Sequence, residues 1–251
     1  MIDFSIVIIT FNEEHNIKPC LDSVRGLTDD IVVVDSGSTD KTKAVCEKYN
    51  VRFFVNSFID YSSQKNFANS LAKYDYVLSL DADECLSPEL VASIREIKEF
   101  GNNHAYTFNR LNYHCGKPVR FCGWYPDKKE RFWNRHTGQW FGTIHEKFVF
   151  NKRPVFVHLK GDLLHYTYNS KEEHLKQAEK FALLNTEQDF KSGKKTSLLM
   201  AYISYLLRFL TVFIFRLGFL DGKTGLFIAK TTAYATFLRN KQLYVKNKNK
   251  Y

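Results

Sequence analysis

An acidic cluster at residues 81–84 is the first feature of this sequence that could carry out chemistry. Asp81, Asp83 and Glu84 directly follow a run of strand-forming residues at 76–80. Carboxylates at the end of a buried strand are costly unless a positive charge lies beside them. Hard oxygen ligands suit Mg²⁺ or Mn²⁺, and such an ion commonly also binds the phosphate oxygens of a substrate. The cluster therefore predicts a site for a divalent metal and a diphosphate.

Polar residues also follow two other predicted strands, at the points where those strands end. Thr10, Phe11 and Asn12 follow the apolar run 4–9, and Asp35 follows the run 31–34. In a parallel sheet the carboxyl ends of the strands meet at one edge, where ligands bind. An aspartate there could accept hydrogen bonds from a nucleobase or a ribose, or it could instead cap the helix that follows. We expect these residues and the acidic cluster to converge on one rim.

The elements that must position these residues alternate along the first hundred positions. Apolar runs predict strands at 4–9, 31–34, 51–55 and 76–80, and helical spacing predicts helices at 16–27, 41–49, 62–73 and 88–100. This order predicts an α/β fold with a doubly wound, mostly parallel sheet flanked by helices. Its Rossmann-like first half, 1–103, would bind the nucleotide.

The pattern changes after residue 104, where aromatic and polar loops separate short apolar pieces. The pieces at 105–108, 148–150, 155–158 and 163–166 predict antiparallel strands added to the sheet. We therefore expect one domain at 1–168, followed by a helical region at 169–251. Within the domain, 104–168 would be the part where an acceptor substrate is recognised.

The helical region begins with a capping box, Ser170 to Glu173, and contains an apolar stretch at 198–220. Arg208 and Arg216 interrupt that stretch on roughly one helix face. Each arginine would cost on the order of 2.5–3.5 kcal/mol near the centre of a bilayer, so a spanning helix is disfavoured. The pattern favours a helix lying in the membrane interface. A helix hairpin packed on the domain is the alternative.

Composition excludes several classes of protein. The sequence has neither a GxxxxGK[ST] phosphate loop nor a GxGxxG turn after the first strand, and its five cysteines form no CxxC pair. P-loop, dinucleotide-binding and zinc proteins are therefore disfavoured, and the cysteines indicate a reduced, cytoplasmic protein. The N-terminal segment turns acidic too early for a signal peptide and predicts a first strand. The net charge of +9 indicates an anionic partner.

Four segments in order, ITFNEE, VVVDSGSTD, QKNFA and LSLDADE, resemble the family 2 glycosyltransferases, which have the GT-A fold. The later segments GWYPDKKERFW, WFGTIHEKF, LLHYTY and GFLDG resemble the bacterial subgroup that adds sugars to the lipopolysaccharide core, similar to β-1,4-glucosyltransferases. The resemblance covers nearly the whole chain. It implies an inverting, metal-dependent transfer of a hexose from a nucleotide sugar such as UDP-glucose.

The resemblance also implies which residues bind the donor. Asp81 would contact the ribose or the sugar, and Lys65 would place a positive charge near the phosphates, unless it is simply an exposed helix lysine. The nucleoside would be held by Thr10, Phe11, Asn12, Glu14 and Asp35.

The metal ligands and the base follow from the same resemblance. Asp83 would bind Mn²⁺ or Mg²⁺ directly, and His165 would complete the metal shell, with His158 as its rival. Glu146 would deprotonate the acceptor hydroxyl, unless it only pairs with an arginine such as Arg131.

The acceptor would be a lipid-linked glycan, and the protein itself would be cytoplasmic and bind peripherally to the cytoplasmic face of the inner membrane. The expected contacts to the acceptor are Trp124, Tyr125, Arg131, Trp140 and His145, and Trp133 could also stack on a sugar.

Two rival functions are a nucleotidyltransferase and a non-catalytic protein that binds anionic surfaces. The acidic start of the first loop disfavours the former, and the acidic cluster, which repels phosphate, disfavours nucleic acid as a partner.

Overall fold

The computed structural model describes residues 2–101, 103–142 and 146–249. The chain forms two compact units. The N-terminal unit comprises Met1–Arg110 and Asp127–His165, and the C-terminal unit comprises Leu111–Pro126 and Tyr166–Tyr251. The segment Leu111–Pro126 thus groups with the C-terminal helices, although the sequence pattern had placed it with residues 104–168.

The N-terminal unit begins with the predicted alternation of strands and helices. The strands are β1 (Ser5–Thr10), β2 (Asp30–Asp35), β3 (Arg52–Val55) and β4 (Tyr76–Asp81); the helices are α1 (Ile17–Val24), α2 (Thr42–Cys46), α3 (Tyr61–Ser70) and α4 (Pro88–Arg95). The strands are parallel in the order β3-β2-β1-β4. All six residues of β1 are buried, as expected for a strand covered on both faces. The predicted α/β class with a doubly wound parallel sheet is confirmed.

The register of the parallel strands brings their polar ends together. Thr10 pairs with Asp35 across β1 and β2, and Ile9 pairs with Asp81 across β1 and β4. The loop backbones are also joined, since Ser36 donates its N–H to the Thr10 carbonyl at 2.9 Å and Ala82 donates to Ile9 at 3.2 Å. The rim expected from the sequence is therefore present.

The remaining strands of the structure are β5 (Glu84–Leu86), β6 (His104–His114), β7 (Lys117–Pro118), β8 (Asp127–Asn134), β9 (Gly138–Phe141), β10 (Lys147–Phe150) and β11 (Val155–Tyr168). Antiparallel strands extend the sheet beyond β4 in the order β4-β8-β6-β11-β5, β7 pairs with β6, and β9 and β10 form a separate hairpin. The sequence pattern predicted neither β5 nor β8, because β5 has three residues and β8 begins with four charged residues.

Strand β11 runs unbroken over 14 residues, where the sequence predicted two short strands. Gly161 lies between the two predicted strands and explains why β11 continues through this position. Its φ of +91° bends the strand without ending it, and a Cβ there would lie 2.2 Å from the Leu90 backbone nitrogen. Glycine is the residue that tolerates this conformation and this close approach. The continuous strand then pairs with β5, so that His165 lies opposite Glu84.

The C-terminal unit is built mainly from helices α5 (Lys171–Lys191), α6 (Leu198–Leu210) and α7 (Gly222–Lys248). Ser170 caps α5 as predicted, since its Oγ accepts from the Glu173 N–H at 3.0 Å. The GFLDG segment forms a 3₁₀ turn, Gly218–Asp221, whose Asp221 carboxylate accepts from the Arg120 and Phe121 N–H groups. A small apolar core comprises Val119, Cys122, Val212, Ile228 and Ala229.

Helix α6 continues into one π-helical turn, Thr211–Phe215, and together they leave most of their apolar surface exposed. Among the described residues, the segment Leu198–Phe215 is the one helical stretch that is long and apolar enough to cross a bilayer; its mean hydropathy is 2.0 and 11% of it is buried. Low burial distinguishes it from the core helix of a globular unit.

Candidate active site

A cavity of about 480 Å³ opens at the rim of the parallel strands, and we call it the rim cavity. It brings together five of the residues singled out from the sequence: Thr10, Phe11, Asp81, Asp83 and His165. The Thr10 hydroxyl oxygen is buried and has no hydrogen-bond partner within the described parts of the chain. An unsatisfied buried hydroxyl is costly, and one that faces a cavity can be satisfied by a ligand.

The lining of the rim cavity is acidic. Its carboxylates are Glu13, Asp81 and Asp83, and no lysine or arginine from the described ranges lines it. An anionic diphosphate would be repelled by these charges unless a cation accompanied it. The rim cavity thus suits a diphosphate only together with a metal ion.

Asp83 and His165 form the pair best placed to hold such an ion. The carboxylate Oδ2 of Asp83 lies 3.1 Å from the Nε2 of His165, and both side chains are half-buried. Pairing of β5 with β11 brings them together from positions 82 residues apart. Within the described residues no group of three or more His, Cys, Asp or Glu side chains is arranged around one point. Mg²⁺ is often bound through one or two carboxylates and completed by phosphate oxygens and water, and Asp83 can supply such a carboxylate with His165 as a second ligand beside it.

His158, the rival ligand, lies elsewhere. Its ring nitrogen Nδ1 is 3.3 Å from the Thr107 hydroxyl, and it does not line the rim cavity. The alternation of side chains along β11 explains the difference, since residues an odd number of positions apart face opposite sides of a strand.

Behind the rim cavity lies a buried set of ion pairs, here called the charge network. Lys65 Nζ is 2.9 Å from an Asp81 carboxylate oxygen and 2.8 Å from Glu146 Oε1. Arg131 Nη2 lies 2.9 Å from Asp81 and 2.9 Å from Glu84. Burial by itself raises the pKa of the Asp81 carboxyl, but the charges of Lys65 and Arg131 outweigh it and hold that pKa well below its usual range. Asp81 is therefore ionised throughout the physiological pH range.

The charge network shows what surrounds two of the residues singled out from the sequence. Lys65 is only 1% exposed, so it is not an exposed helix lysine, and it holds two carboxylates where contact with donor phosphates was expected. Its ammonium group also lies 4.6 Å from the centre of the Trp140 ring. Arg131 was expected at the acceptor; its guanidinium is buried between Asp81 and Glu84, and the residue also lines the second cavity described below. Both side chains hold acidic groups in place, which no local sequence pattern indicates.

A second cavity of about 640 Å³, the side cavity, lies on the other side of Asp81. Glu146 lines it, and Asp81 borders both cavities. Its cationic lining residues are Arg110, Lys128, Lys129, Arg131 and Lys147. The sequence-predicted base therefore lies in one cavity, and the predicted metal ligands lie in the neighbouring one.

Two of the aromatic residues that could stack on a sugar are buried in the structure. Trp133 and Trp140 are buried, 0% and 4% exposed, and pack with Phe148 in the core. The Trp133 and Phe148 ring centres are 4.3 Å apart. Trp140 borders the side cavity, but its ring faces are covered by protein. Dense aromatic residues in this region serve core packing, the commoner use of such side chains.

The other predicted acceptor contacts lie in the C-terminal unit or cannot be placed. The Trp124 ring packs against His174, with centroids 5.8 Å apart, and the Arg120 guanidinium lies 5.6 Å from the centre of the Tyr125 ring. His145 lies outside the described residues.

Asn12, Glu14 and Asp35 order the loops around the rim cavity, and they do not line it. Asp35 accepts hydrogen bonds from the N–H groups of Gly37 and Ser38 at 2.9 and 2.7 Å, which makes it a cap of its own loop. Asn12 accepts from the Thr39 N–H at 2.9 Å, and Glu14 accepts from the Lys41 N–H at 3.1 Å. These bonds tie the loop after β1 to the loop after β2. The contacts differ from the expected bonds to a nucleoside.

Four lining residues of the rim cavity were missed by sequence reasoning: Glu13, Ser36, Phe58 and Tyr61. Phe58 and Tyr61 are 48% and 51% exposed, and their ring centres are 5.1 Å apart. Asp60 between them caps α3 by accepting from the Ser63 N–H. Two aromatic residues on either side of a helix cap, soon after a parallel strand, are the signal that could have identified Phe58 and Tyr61.

Comparison with known proteins gives a consistent result. The family model described as "Glycosyl transferase family 2" matches residues 5–156. An uncharacterized glycosyltransferase of Rickettsia conorii is 32% identical over 94% of this chain and 87% of its own length. The lipopolysaccharide core biosynthesis glycosyltransferase LpsC of Rhizobium meliloti is 28% identical over 96% of this chain and 91% of its own length. A crystal structure of S. aureus TarS 1–349 with UDP-GlcNAc is 14% identical, covers 99% of this chain and 92% of that one, and has a TM-score of 0.43.

Proposed function

Because the chain belongs to glycosyl transferase family 2, and is thus a glycosyltransferase with a GT-A fold that uses a nucleotide-sugar donor, we propose a specific reaction for it. The enzyme transfers a hexose, with inversion and with a divalent metal, from UDP-glucose as the favoured donor to a lipid-linked glycan. The name of the relative LpsC supports an acceptor of the lipopolysaccharide core type. The observation that carries the proposal is the acidic rim cavity, which requires a cation before it can receive a diphosphate.

The proposed site assigns one task to each group of residues. Thr10, Phe11 and Tyr61 bind the nucleoside, since they line the rim cavity and include an unsatisfied hydroxyl and two exposed rings. Asp83 and His165 hold the metal, which when bound neutralises charge on the diphosphate leaving group. Asp81 contacts the donor at the border between the two cavities.

Glu146 acts as the general base in the side cavity. An acceptor hydroxyl hydrogen-bonded to Glu146 loses its proton to the carboxylate as its oxygen attacks the anomeric carbon. The bond from that carbon to the diphosphate oxygen breaks on the opposite face, so the configuration inverts. Lys65 keeps the Glu146 carboxylate in place, 2.8 Å from its ammonium group.

Metal-dependent donor binding tests the proposal. We expect Mn²⁺ to raise the affinity for UDP-glucose about tenfold or more, and ligand at about 100 times its dissociation constant to stabilise the protein by about 2.7 kcal/mol. Asp83→Ala removes a metal ligand and should abolish the Mn²⁺-dependent part. The measurement is thermal unfolding with a panel of nucleotide sugars, with Mn²⁺ or with EDTA. Asp3→Ala, at an exposed carboxylate outside both cavities, is the matched control.

Equal affinity of Asp83→Ala and wild type for UDP-glucose with Mn²⁺ would remove the metal role. Release of glucose 1-phosphate in place of UDP from UDP-glucose would contradict the transferase assignment, because it shows that the uridylyl group is transferred, and it would favour nucleotidyl transfer.

A peripheral membrane contact by the C-terminal unit is the second part of the proposal. Leu199, Leu206, Leu207 and Phe215 are 68%, 56%, 58% and 79% exposed on α6 and its π-helical turn. Cationic side chains flank or interrupt this apolar surface, at Lys194, Lys195, Arg208 and Arg216. An apolar face bordered by cations is the arrangement with which helices bind the interface of an anionic bilayer. Such binding would hold the enzyme next to a lipid-linked acceptor on the cytoplasmic face.

Vesicle binding tests this contact. Leu206→Glu combined with Leu207→Glu should lower the fraction that sediments with phosphatidylglycerol vesicles about tenfold, because two apolar side chains no longer leave water. Val55→Glu with Val155→Glu, at positions 64% and 56% exposed in the N-terminal unit, is the control pair. Unchanged sedimentation of the α6 variant, or loss of a dimer in place of vesicle binding, would contradict a lipid-binding role.

A further inference from the structure

We infer that the side cavity binds an anionic group of the acceptor, a phosphate or a carboxylate carried by a sugar, beside the hydroxyl that receives the hexose. This inference rests on the proposed function, because Glu146 marks the side cavity as the place of the acceptor. It adds the chemical class of the acceptor, which the family does not define.

The side cavity has an excess of cationic side chains. Five cationic side chains line it, against the three carboxylates of Asp81, Glu130 and Glu146. The rim cavity has the opposite lining, with three carboxylates and no lysine or arginine from the described residues. The two cavities share Asp81, so the sign of the lining changes across one side chain. A cationic cavity attracts an anion without a metal ion.

The cationic side chains of the side cavity differ in whether a carboxylate already neutralises them. Arg131 is paired with Asp81 and Glu84, and Arg110 and Lys129 share Asp127 at 2.8 and 3.0 Å. Lys128 and Lys147 are exposed, and neither makes an ion pair within 4.0 Å with any described residue. Glu130 offsets part of their charge. The two lysines are therefore the groups that can bind an incoming anion.

The two lysines lie in the same cavity as the proposed base. Lys147 directly follows the proposed base Glu146 and begins β10, and Lys128 lies on β8, which also carries Arg131. Both line the cavity that contains the base. An acceptor sugar in a cavity of about 640 Å³ can thus present its hydroxyl to Glu146 and its anionic group to the lysines. The anion would fix the register of the acceptor, which determines the hydroxyl that is glycosylated.

Sugar binding by the protein in the presence of UDP tests the inference. The probes are glucose 6-phosphate, glucuronate and uncharged glucose, titrated calorimetrically. Wild type should bind the charged sugars about tenfold or more tightly than glucose, and Lys128→Ser with Lys147→Ser should remove that preference. Lys98→Ser with Lys152→Ser changes the net charge equally at exposed lysines outside the cavity and should retain it.

The arms of the experiment separate the possible outcomes. Preference for glucose 6-phosphate alone assigns a phosphate, and preference for both charged sugars assigns either anion. The preference should persist in EDTA, since the lysines carry it; its loss in EDTA would place the anion on a metal in the rim cavity and overturn the inference. Absence of any preference in wild type, or its retention in the Lys128/Lys147 variant, would overturn it as well.

The inference and the proposed function can fail separately. If wild type binds UDP with Mn²⁺ but shows no preference for charged sugars, only the anionic acceptor is wrong. If wild type does not bind UDP or UDP-glucose at all, the proposed function itself is wrong. The Lys128/Lys147 variant should bind UDP with the affinity of wild type, because neither lysine lines the rim cavity.

Discussion

Glu146→Gln is expected to lower kcat about 10²–10⁴-fold while the dissociation constant for the donor stays nearly unchanged. Glutamine has the shape of glutamate, and its carbonyl oxygen can still accept the bond from Lys65, which is 2.8 Å away in wild type. It cannot accept the proton of the acceptor hydroxyl. The loss should therefore appear in the chemical step, and the donor, which is proposed to occupy the neighbouring rim cavity, should bind as before.

Steady-state transfer from UDP-glucose to the acceptor, together with UDP binding by calorimetry, checks this prediction. Glu47→Gln, at an exposed carboxylate of the N-terminal unit outside both cavities, is the matched control and should retain wild-type kcat. Full turnover by Glu146→Gln would show that another group takes the proton. A loss confined to the KM for the acceptor would indicate that Glu146 binds the acceptor without acting as the base.

Lys65→Met should have the second large effect, because it removes the cation that two carboxylates share. Lys65 is 1% exposed and lies 2.9 Å from Asp81 and 2.8 Å from Glu146. Breaking a buried ion pair by removing one partner leaves uncompensated charge and costs roughly 3–5 kcal/mol. Methionine has a similar length and no charge, so the loss reports on charge rather than on packing. Transfer activity should also fall, since the proposed base loses the group that positions it.

Urea unfolding of a double-mutant cycle measures this effect. Lys65→Met combined with Glu146→Gln should be less destabilised than the sum of the two single variants, because one of the two stranded charges is removed. Lys73→Met breaks an exposed pair with Asp29 and should change stability little. If Lys65→Met unfolds at the same urea concentration as wild type, the charge network does not contribute to stability as described.

The local sequence pattern was sufficient to predict the four parallel strands and the rim where they end. Continuous apolar runs separated by helical periodicity predicted four parallel strands, and the structure contains each within about two residues of the predicted bounds. Because parallel strands end on one edge, the same pattern predicted that Thr10 and Asp81 would meet, and both line the rim cavity. The segment around Glu146 was recognised by its resemblance to the family, and it lies in the adjoining side cavity.

Contacts between distant residues needed the tertiary structure. His165 reaches Asp83 only because β5, a strand of three residues, pairs with β11 across 82 positions of sequence. The local sequence does not show whether a lysine in a helix is exposed or buried. The position of Lys65 between Asp81 and Glu146 therefore could not be predicted from the residues next to it in the chain.

The same reason explains the residues whose surroundings differ from those expected. An arginine or tryptophan suits a sugar site as well as a core, and burial alone decided that Arg131 pairs with acidic groups and that Trp140 packs in the core. Sequence by itself determined the four parallel strands, the helices between them and the rim, because periodicity and strand ends are local properties. The tertiary structure decided which charges face each cavity, since that depends on strand pairing and burial between residues far apart in the chain.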